Sequence, residues 1–308
     1  MAFPVAPGHP QYAGTLIPEV WSPLLDEKFY EFSVLEHIAN TNWEGEIKGY
    51  GSKVNIRTRA DINVLPYSKG MDLAVQTPES PNKELVIDRG FYWNFLIEDV
   101  DRVQADIQYL EEWTEDAAEK QNENTNEVVL GEVFADVDAD NQGDEAGRRM
   151  GYYNLGKPTA PLALTAANVV PTLGMCASVL TEAKVPRSKR WMSVPPWITQ
   201  LIYESPYNKA LVQGNDQDLL RKGHIGTLSG FDLFETNQLA VAEDGSDLVT
   251  NVIFGHISAI TFASQFVNSE VIPSERKFGR FARGINVFGF NVIKPDAIGL
   301  LYCKRGTE

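Results

Sequence analysis

Apolar positions along this chain change period several times, and each change marks an element. In SPLLDEKFYEFSVLEHIANT, Ser22 to Thr41, Leu25, Phe29, Phe32 and Leu35 follow helical spacing. Ser22 can cap that helix, and Pro23 suits its first turn. From Gly51 the period drops to two. In KVNIRTRADINV, Val54, Ile56 and Thr58 alternate with Asn55, Arg57 and Arg59, which predicts a half-exposed strand. Tyr67 to Lys83 is polar and turn-rich; ELVIDRGFYWNFLIEDV then resumes the alternation, with Phe91, Trp93, Phe95 and Ile97 on one side. Two strands around an irregular tip predict a long projecting hairpin. Such a hairpin has little core of its own and should need packing against neighbours.

Past Asp99 the period lengthens again. Val100, Val103, Ile107, Leu110, Thr114 and Ala117 recur every three or four residues, and Val128 rejoins the series after a polar middle. Asp101 and Gln104 have capping-box spacing. One helix over 101–134 follows, about 50 Å long at 1.5 Å per residue. Gln121, Asn122, Asn124 and Thr125 interrupt its apolar face, so packing there must be thin or polar.

The rest alternates helices and strands. A helix is expected from Thr165 to Ala183, with Thr165 as cap and with Pro171 and Gly174 weakening its first turns. WMSVPP reads as a short strand and WITQLIYES as a short helix. After a polar loop around Gly214 to Gly223 come strands over Phe231 to Glu235 and Val249 to Phe254, and HISAITFASQF reads as a brief helix. RGINVFGFNVIKPDAIGLLYCK supplies two last strands split by Pro295. The fold class is α+β, not a doubly wound sheet.

Composition narrows the function classes. The 308 residues are 43% hydrophobic and 22% charged, which is globular, and long enough for one large domain or two ordinary ones. A net charge of -15 weighs against gripping nucleic acid through phosphates, although a protein that merely encloses it is compatible. Residues 1–20 carry Pro4, Pro7, Pro10 and Pro18 among Phe3, Val5, Leu16 and Ile17; this is an extended arm, apolar enough to lie against another subunit. No positively charged start leads into an apolar stretch, and no run of 18 apolar residues occurs, so neither a secretion signal nor a membrane span is expected. Cys176 and Cys303 lie far apart with no metal-ligand spacing, as two structural thiols in a reducing compartment would.

Candidate chemistry is sparse. Neither G-x-x-x-x-G-K-[ST] nor G-x-G-x-x-G occurs, and GTLSG, Gly226 to Gly230, places its serine wrongly for a nucleophile elbow. His9, His37, His224 and His256 fall in separate segments, His256 at a strand-to-helix junction. Glu111, Glu112, Glu115, Asp116 and Glu119 give the long helix an acidic side, either solvated or subunit-facing. Basic residues group in KVPRSKR (Lys184, Arg187, Lys189, Arg190) and in ERKFGRFARG (Arg276, Lys277, Arg280, Arg283). Pairing with acidic surfaces of neighbouring subunits fits the acidic total better than nucleic-acid binding does.

One stretch imitates a metal site. In FADVDADNQGDEAG, Phe134 to Gly147, Asp136, Asp138 and Asp140 stand where an EF-hand loop puts its first three ligands. Position 6 is then Asn141 instead of glycine, and position 12 is Gly147 instead of the bidentate glutamate. The expectation is an acidic, glycine-relieved helix terminus, where Asp and Asn side chains bond nearby backbone and glycine takes positive φ. No catalytic, cofactor or metal residue is assigned.

An arm, a short helix, a long hairpin, a spine-like helix and an α+β remainder form a pattern. LIPEVWSPLLDEKFYEFSVLEHIANT, GSKVNIRTRADINV, DVDRVQADIQYLEEWTEDAAEK, VIFGHISAITFASQF and FGRFARGINVFGFNVIKPDAIG resemble major capsid proteins of tailed bacteriophages, which share the HK97-type capsid fold. The resemblance implies an N-terminal arm over 1–45 and an E-loop over 46–97. It implies a peripheral domain with spine helix over 98–147 and 278–294, and an axial domain over 148–277 and 295–308. It also implies a non-enzymatic coat protein, without cofactor, that self-assembles through pentamers and hexamers into an icosahedral shell around double-stranded DNA. The implied partners are a scaffolding protein, a portal protein and possible decoration proteins. The implied location is the virion, assembled in the host cytoplasm. Some members cross-link subunits through a lysine and an asparagine; Lys69 and Lys83 lie in the hairpin, where lysines are ordinary solubilising residues. Some carry a cleaved N-terminal scaffolding region, and this chain looks uncleaved or already mature. The alternatives are a carboxylate-based hydrolase, marked by a pocket with a convergent carboxylate pair, and a minor or decoration virion protein.

Overall fold

A computed structural model of the chain describes residues 33–43, 53–57, 62–73, 75–77, 82–98, 109–206, 224–245, 247–274 and 277–306. The arm, most of the expected 22–41 helix, residues 101–108 and the 214–223 loop lie outside these. In chain order come α1 (Leu35–Ile38), β1 (Ala39–Asn40), β2 (Lys53–Arg57), β3 (Asn82–Val86), β4 (Arg89–Glu98) and α2 (Tyr109–Glu132). Next are β5 (Leu162–Leu164), α3 (Val169–Glu182), β6 (Arg190–Val194), α4 (Pro196–Glu204), β7 (His224–Leu228) and β8 (Phe231–Glu235). The last elements are β9 (Val241–Asp244), β10 (Asp247–His256), β11 (Ile260–Pro273), β12 (Gly279–Val292) and β13 (Ile298–Arg305).

Two sheets carry the α+β fold. The seven-stranded sheet runs β5-β13-β10-β6-β8-β7, with β9 added beside β10. Its β6 is buried at all five residues because β10 and β8 flank it and side chains leave on both covered faces. Trp191, Phe231 and Phe254 are its largest wholly buried side chains, and the Phe231 and Phe254 rings meet edge-on at 5.8 Å. α3 begins after a turn in which the Thr165 N–H donates to Asn168 Oδ1 at 2.8 Å and the Val169 N–H to the Thr165 carbonyl at 3.0 Å. Pro171 is therefore the third helical residue, where its missing N–H costs nothing.

The four-stranded sheet has the order β1-β11-β12-β4 and is antiparallel except where β1 joins β11. Here one expectation fails. HISAITFASQF is a turn followed by the start of β11, not a helix. Ile260, Ala263 and Thr261 are buried, so this stretch is apolar on both faces and local period cannot tell helix from strand. Pairing with β1 and β12 on either side decides it. The alternation read in β4 holds, and its Phe91, Trp93 and Phe95 turn toward α2: Phe95 meets Trp113 edge-on at 5.7 Å. Trp93 lies so close over β12 that a Cβ at Gly284 would stand 2.4 Å from the indole. The polar middle of α2 packs through hydrogen bonds, as its sequence demands. Gln121 Nε2 donates to the Phe91 carbonyl at 2.8 Å, and Ser33 Oγ donates to Asn126 Oδ1 at 3.1 Å. Further along, Val129, Leu130 and Val133 enter the main core with Val34, Leu35 and Ile38.

Candidate intersubunit surface

The hairpin divides into an anchored base and an unsupported tip. At the base β2 and β3 pair from Lys53 opposite Val86 to Arg57 opposite Asn82, and Lys53 Nζ bonds Glu84 at 3.1 Å. Ile56, Leu85 and Ile87 are buried with Ala263 of the second sheet and Ile293 just past β12 in a small satellite core. β3 crosses β12 at Gly289, where a Cβ would lie 2.0 Å from the Val86 carbonyl oxygen, and Asn291 Nδ2 donates to the Glu84 carbonyl at 2.5 Å. The base therefore has a core supplied by its own chain, which the sequence reading did not foresee. Of the strand expected over 53–64, residues 53–57 are paired and 62–64 belong to no strand.

The tip, 62–73 with 75–77, holds no regular element among its described residues. Ile62, Leu65, Tyr67 and Leu73 are more than half exposed, and Val64 and Val75 reach 95% and 93%. Few bonds organise it. Gln76 clasps the Asn63 backbone through its Nε2 at 2.7 Å and its Oε1 at 3.1 Å, and the chain reverses at Gly70, φ 90°. Six large apolar side chains on an unpaired backbone stand uncovered among the described residues, the kind of surface that a neighbouring molecule covers. A second exposed point is Phe278, 91% exposed at the turn between β11 and β12, next to Lys277 and near Arg280. Phe91, Trp93 and Phe95, with Val34, Leu35, Ile38 and Ala39, in contrast pack on their own chain.

The acidic loop resolves into a structural turn around an internal cation. Asp138 Oδ1 accepts the Asp140 N–H at 3.0 Å, which caps a short 3-10 turn over Ala139–Asn141. Arg148 donates to Asp138 Oδ2 at 3.0 Å, with Asp140 Oδ2 at 3.5 Å and Asp296 Oδ2 at 3.7 Å from the same guanidinium. Asn141 is wholly buried and donates to the Asp296 and Ile298 carbonyls at 2.8 and 2.9 Å, tying the loop to the start of β13. Gly143 and Gly147 take φ of 87° and 111°, the relief expected of them. Among the described residues no group of three or more His, Cys, Asp and Glu is placed to hold a metal ion.

Other candidate residues are dispersed. His37 stacks on Phe234 at 5.0 Å, and His9 lies outside the described residues. GTLSG forms the β7–β8 hairpin turn, with Ser229 and Gly230 both at positive φ. Cys176 and Cys303 are buried and free, and burial pushes both thiols up. A groove of 570 Å³ beside α3 is lined by Tyr153, Ser178, Glu182, Arg187, Arg190 and Ser229, among others. Glu182 there accepts the Arg149 and Met150 N–H groups, at 2.9 and 3.3 Å. Arg190, 3% exposed, closes the C-terminal end of α3: it donates to the Ala177, Val185 and Pro186 carbonyls and to Thr181 Oγ1. Its charge is met by the negative end of the helix and not by a carboxylate. A second groove, 460 Å³, contains Glu270, which is ion-paired with Arg283. Neither groove offers a convergent carboxylate pair among the described residues lining it.

No family model and no curated protein sequence matches the chain. Solved structures do. A chain of Mycobacterium phage Che8 aligns over 93% of this chain and 97% of its own length, with 24% identity and a TM-score of 0.73. The capsid structure of cyanophage P-SCSP1u aligns over 94% of both chains at 13% identity and a TM-score of 0.71. The capsid of Ralstonia phage GP4 aligns over 100% of this chain and 99% of its own at 10% identity and a TM-score of 0.60. Among the described residues no helix is long and apolar enough to cross a membrane. From end to end, the chain has the fold of phage capsid subunits.

Proposed function

We propose that this chain is the major coat subunit of a phage shell, self-assembling through pentamers and hexamers around double-stranded DNA. The carrying observation is the whole-length match: capsid chains cover this chain, and are covered by it, almost completely. The exposed apolar tip supports it, because a monomer gains nothing from Val64 and Val75 in water. In this reading 46–97 is the E-loop and α2 the spine helix. Residues 98–147 and 278–294 form the peripheral domain, residues 148–277 and 295–308 the axial domain, and residues 1–45 the arm. Assembly in the host cytoplasm with a scaffolding protein, and attachment to a portal, belong to the same reading.

Electron microscopy and sedimentation of the purified protein, alone and with its scaffolding protein, test this directly. Shells or capsomers are expected. Monomers under all conditions sink the coat reading, and a low copy number in purified virions turns it into a minor or decoration protein.

A further inference from the structure

Two connections cross between the sheets, Ile257 to Ala259 and Ile293 to Ala297, and the loop from α3 to β6 reaches them. The Ile257 N–H donates to the Lys189 carbonyl at 3.3 Å, and the Ile293 N–H to the Ala259 carbonyl at 2.9 Å. Three segments of KVPRSKR, β10 and β12 origin thereby bring Lys189, His256, Ser258 and Lys294 to one place. Lys294 Nζ stands 3.5 Å from Ser258 Oγ. His256 Nδ1 accepts the Ser258 N–H at 3.1 Å and lies 2.8 Å from Ser258 Oγ, so it is the unprotonated ring nitrogen and the hydroxyl points its proton at it.

The groups around this ring are cationic. Burial first, and then the positive charges of Lys294, Arg190 and Lys189, hold the imidazole below its ordinary range, against a hydrogen bond to the Ser188 backbone that favours the protonated ring. Lys189, Lys294 and nearby Arg187 have no carboxylate partner among the described residues, in a chain with 42 acidic residues against 27 basic ones. Arg190 is already fully engaged by the end of α3. Lys189 is also held at φ 55°, where glycine or asparagine would rest more easily.

We propose that this junction is an oxyanion site for a phosphate group, with Lys189 and Lys294 as its charged contacts and Ser258 as its hydroxyl donor. Two lysines and an imidazole that can take a proton match a phosphate dianion or adjacent phosphodiesters better than a single carboxylate. When the anion arrives, the Ser258 hydroxyl turns its proton from His256 Nδ1 toward the anion, and the added negative charge raises the imidazole's affinity for a proton. The phosphate is either free or part of a nucleic-acid backbone. The shell reading bears only on that source, since an acidic subunit with one such point can touch enclosed DNA without gripping it.

The test uses the full-length protein and three probes: a 12-base-pair duplex, inorganic phosphate and a glutamate-rich peptide. Affinity for the duplex is measured against salt for native protein, Lys189→Gly, Lys294→Gln, the double variant, and Lys157→Gln as a control. The double variant should lower the slope of log affinity against log salt by about two, each lysine contributing about one. The control should leave it unchanged, because Lys157 is paired with Asp144. Histidine resonances should show the His256 pKa rising with duplex in native protein and not in the double variant. Lys189→Gly should keep or raise the melting temperature, so that its loss of binding is not unfolding. Inorganic phosphate that competes the duplex off and moves His256 equally assigns a free-phosphate source; duplex alone doing so assigns the backbone. An unchanged salt slope in the double variant, or a glutamate peptide bound as tightly as the duplex, overturns the proposal. Shell formation is scored separately by microscopy, so a failed site and a failed coat reading give different results.

Discussion

The hairpin tip and the seven-stranded sheet place similar side chains in opposite surroundings. Val64, Leu73 and Val75 stand in water on a backbone with no ladder, while Val194, Leu233 and Val252 are sealed between paired strands. The sheet's apolar area is removed from water by the chain itself, and it stabilises the isolated subunit. The tip's area is not, so whatever it contributes must come from a neighbour. Residue type does not mark this contrast. It lies in whether the backbone around each residue has partners.

The largest way to break that comparison is in the core. Phe254→Ala removes a wholly buried ring that packs on Phe231 and lies against Gly299. It should cost about 3–5 kcal/mol in urea unfolding of the unassembled subunit. A loss below about 1 kcal/mol would mean that the sheet is not the independent body described. Arg190→Met should come next, at about 2–4 kcal/mol, because the carbonyls of Ala177, Val185 and Pro186 lose their donor while burial is kept. A variant as stable as native protein would show that those carbonyls find other partners.

Glu132 tests a weaker, exposed link between α2 and β4. The hydrogen bond from Arg89 holds its carboxyl below the usual range, with their Coulomb attraction adding to the effect. A carboxyl depressed on folding contributes stability above its unfolded pKa of about 4.3, and that contribution is lost as pH falls through the folded value. Side-chain exposures of 33% for Arg89 and 50% for Glu132 keep it under about 1 kcal/mol. Glu132→Gln should therefore narrow the stability difference between pH 6 and pH 3 slightly. An identical acid profile in the two proteins would remove the pair from the account.

What the sequence made legible follows the same division. β4 and α2 were readable because each has one covered face, which leaves a clean period of two or of three to four. The irregular tip was readable from its turn residues, and the acidic loop was readable as a turn from its Asp, Asn and Gly residues. The start of β11 was not, because a stretch covered on both sides has no period to read. The cation beside the acidic loop was missed too: Arg148 has no place in the sequence reading, although an arginine a few residues beyond three aspartates is a usable signal. The junction of Lys189, His256 and Lys294 depends on β-sheet topology joining distant segments, which no local pattern encodes.

The smallest effect on subunit stability is the sharpest test of the contrast. Val64→Ser, Leu73→Ser and Val75→Ser together leave the unassembled subunit within about 0.5 kcal/mol of native, because exposed positions away from caps and cores rarely matter more. Hydroxyls at these positions even relieve apolar hydration in the free protein. In the shell the same change removes the apolar area that a neighbour would cover, repeated at every subunit, so small losses per contact multiply over a closed lattice. Shell yield by sedimentation should fall at least tenfold while the urea midpoint stays in place. If both stay in place the tip is not an intersubunit surface, and if both fall together the tip is packed on its own subunit after all.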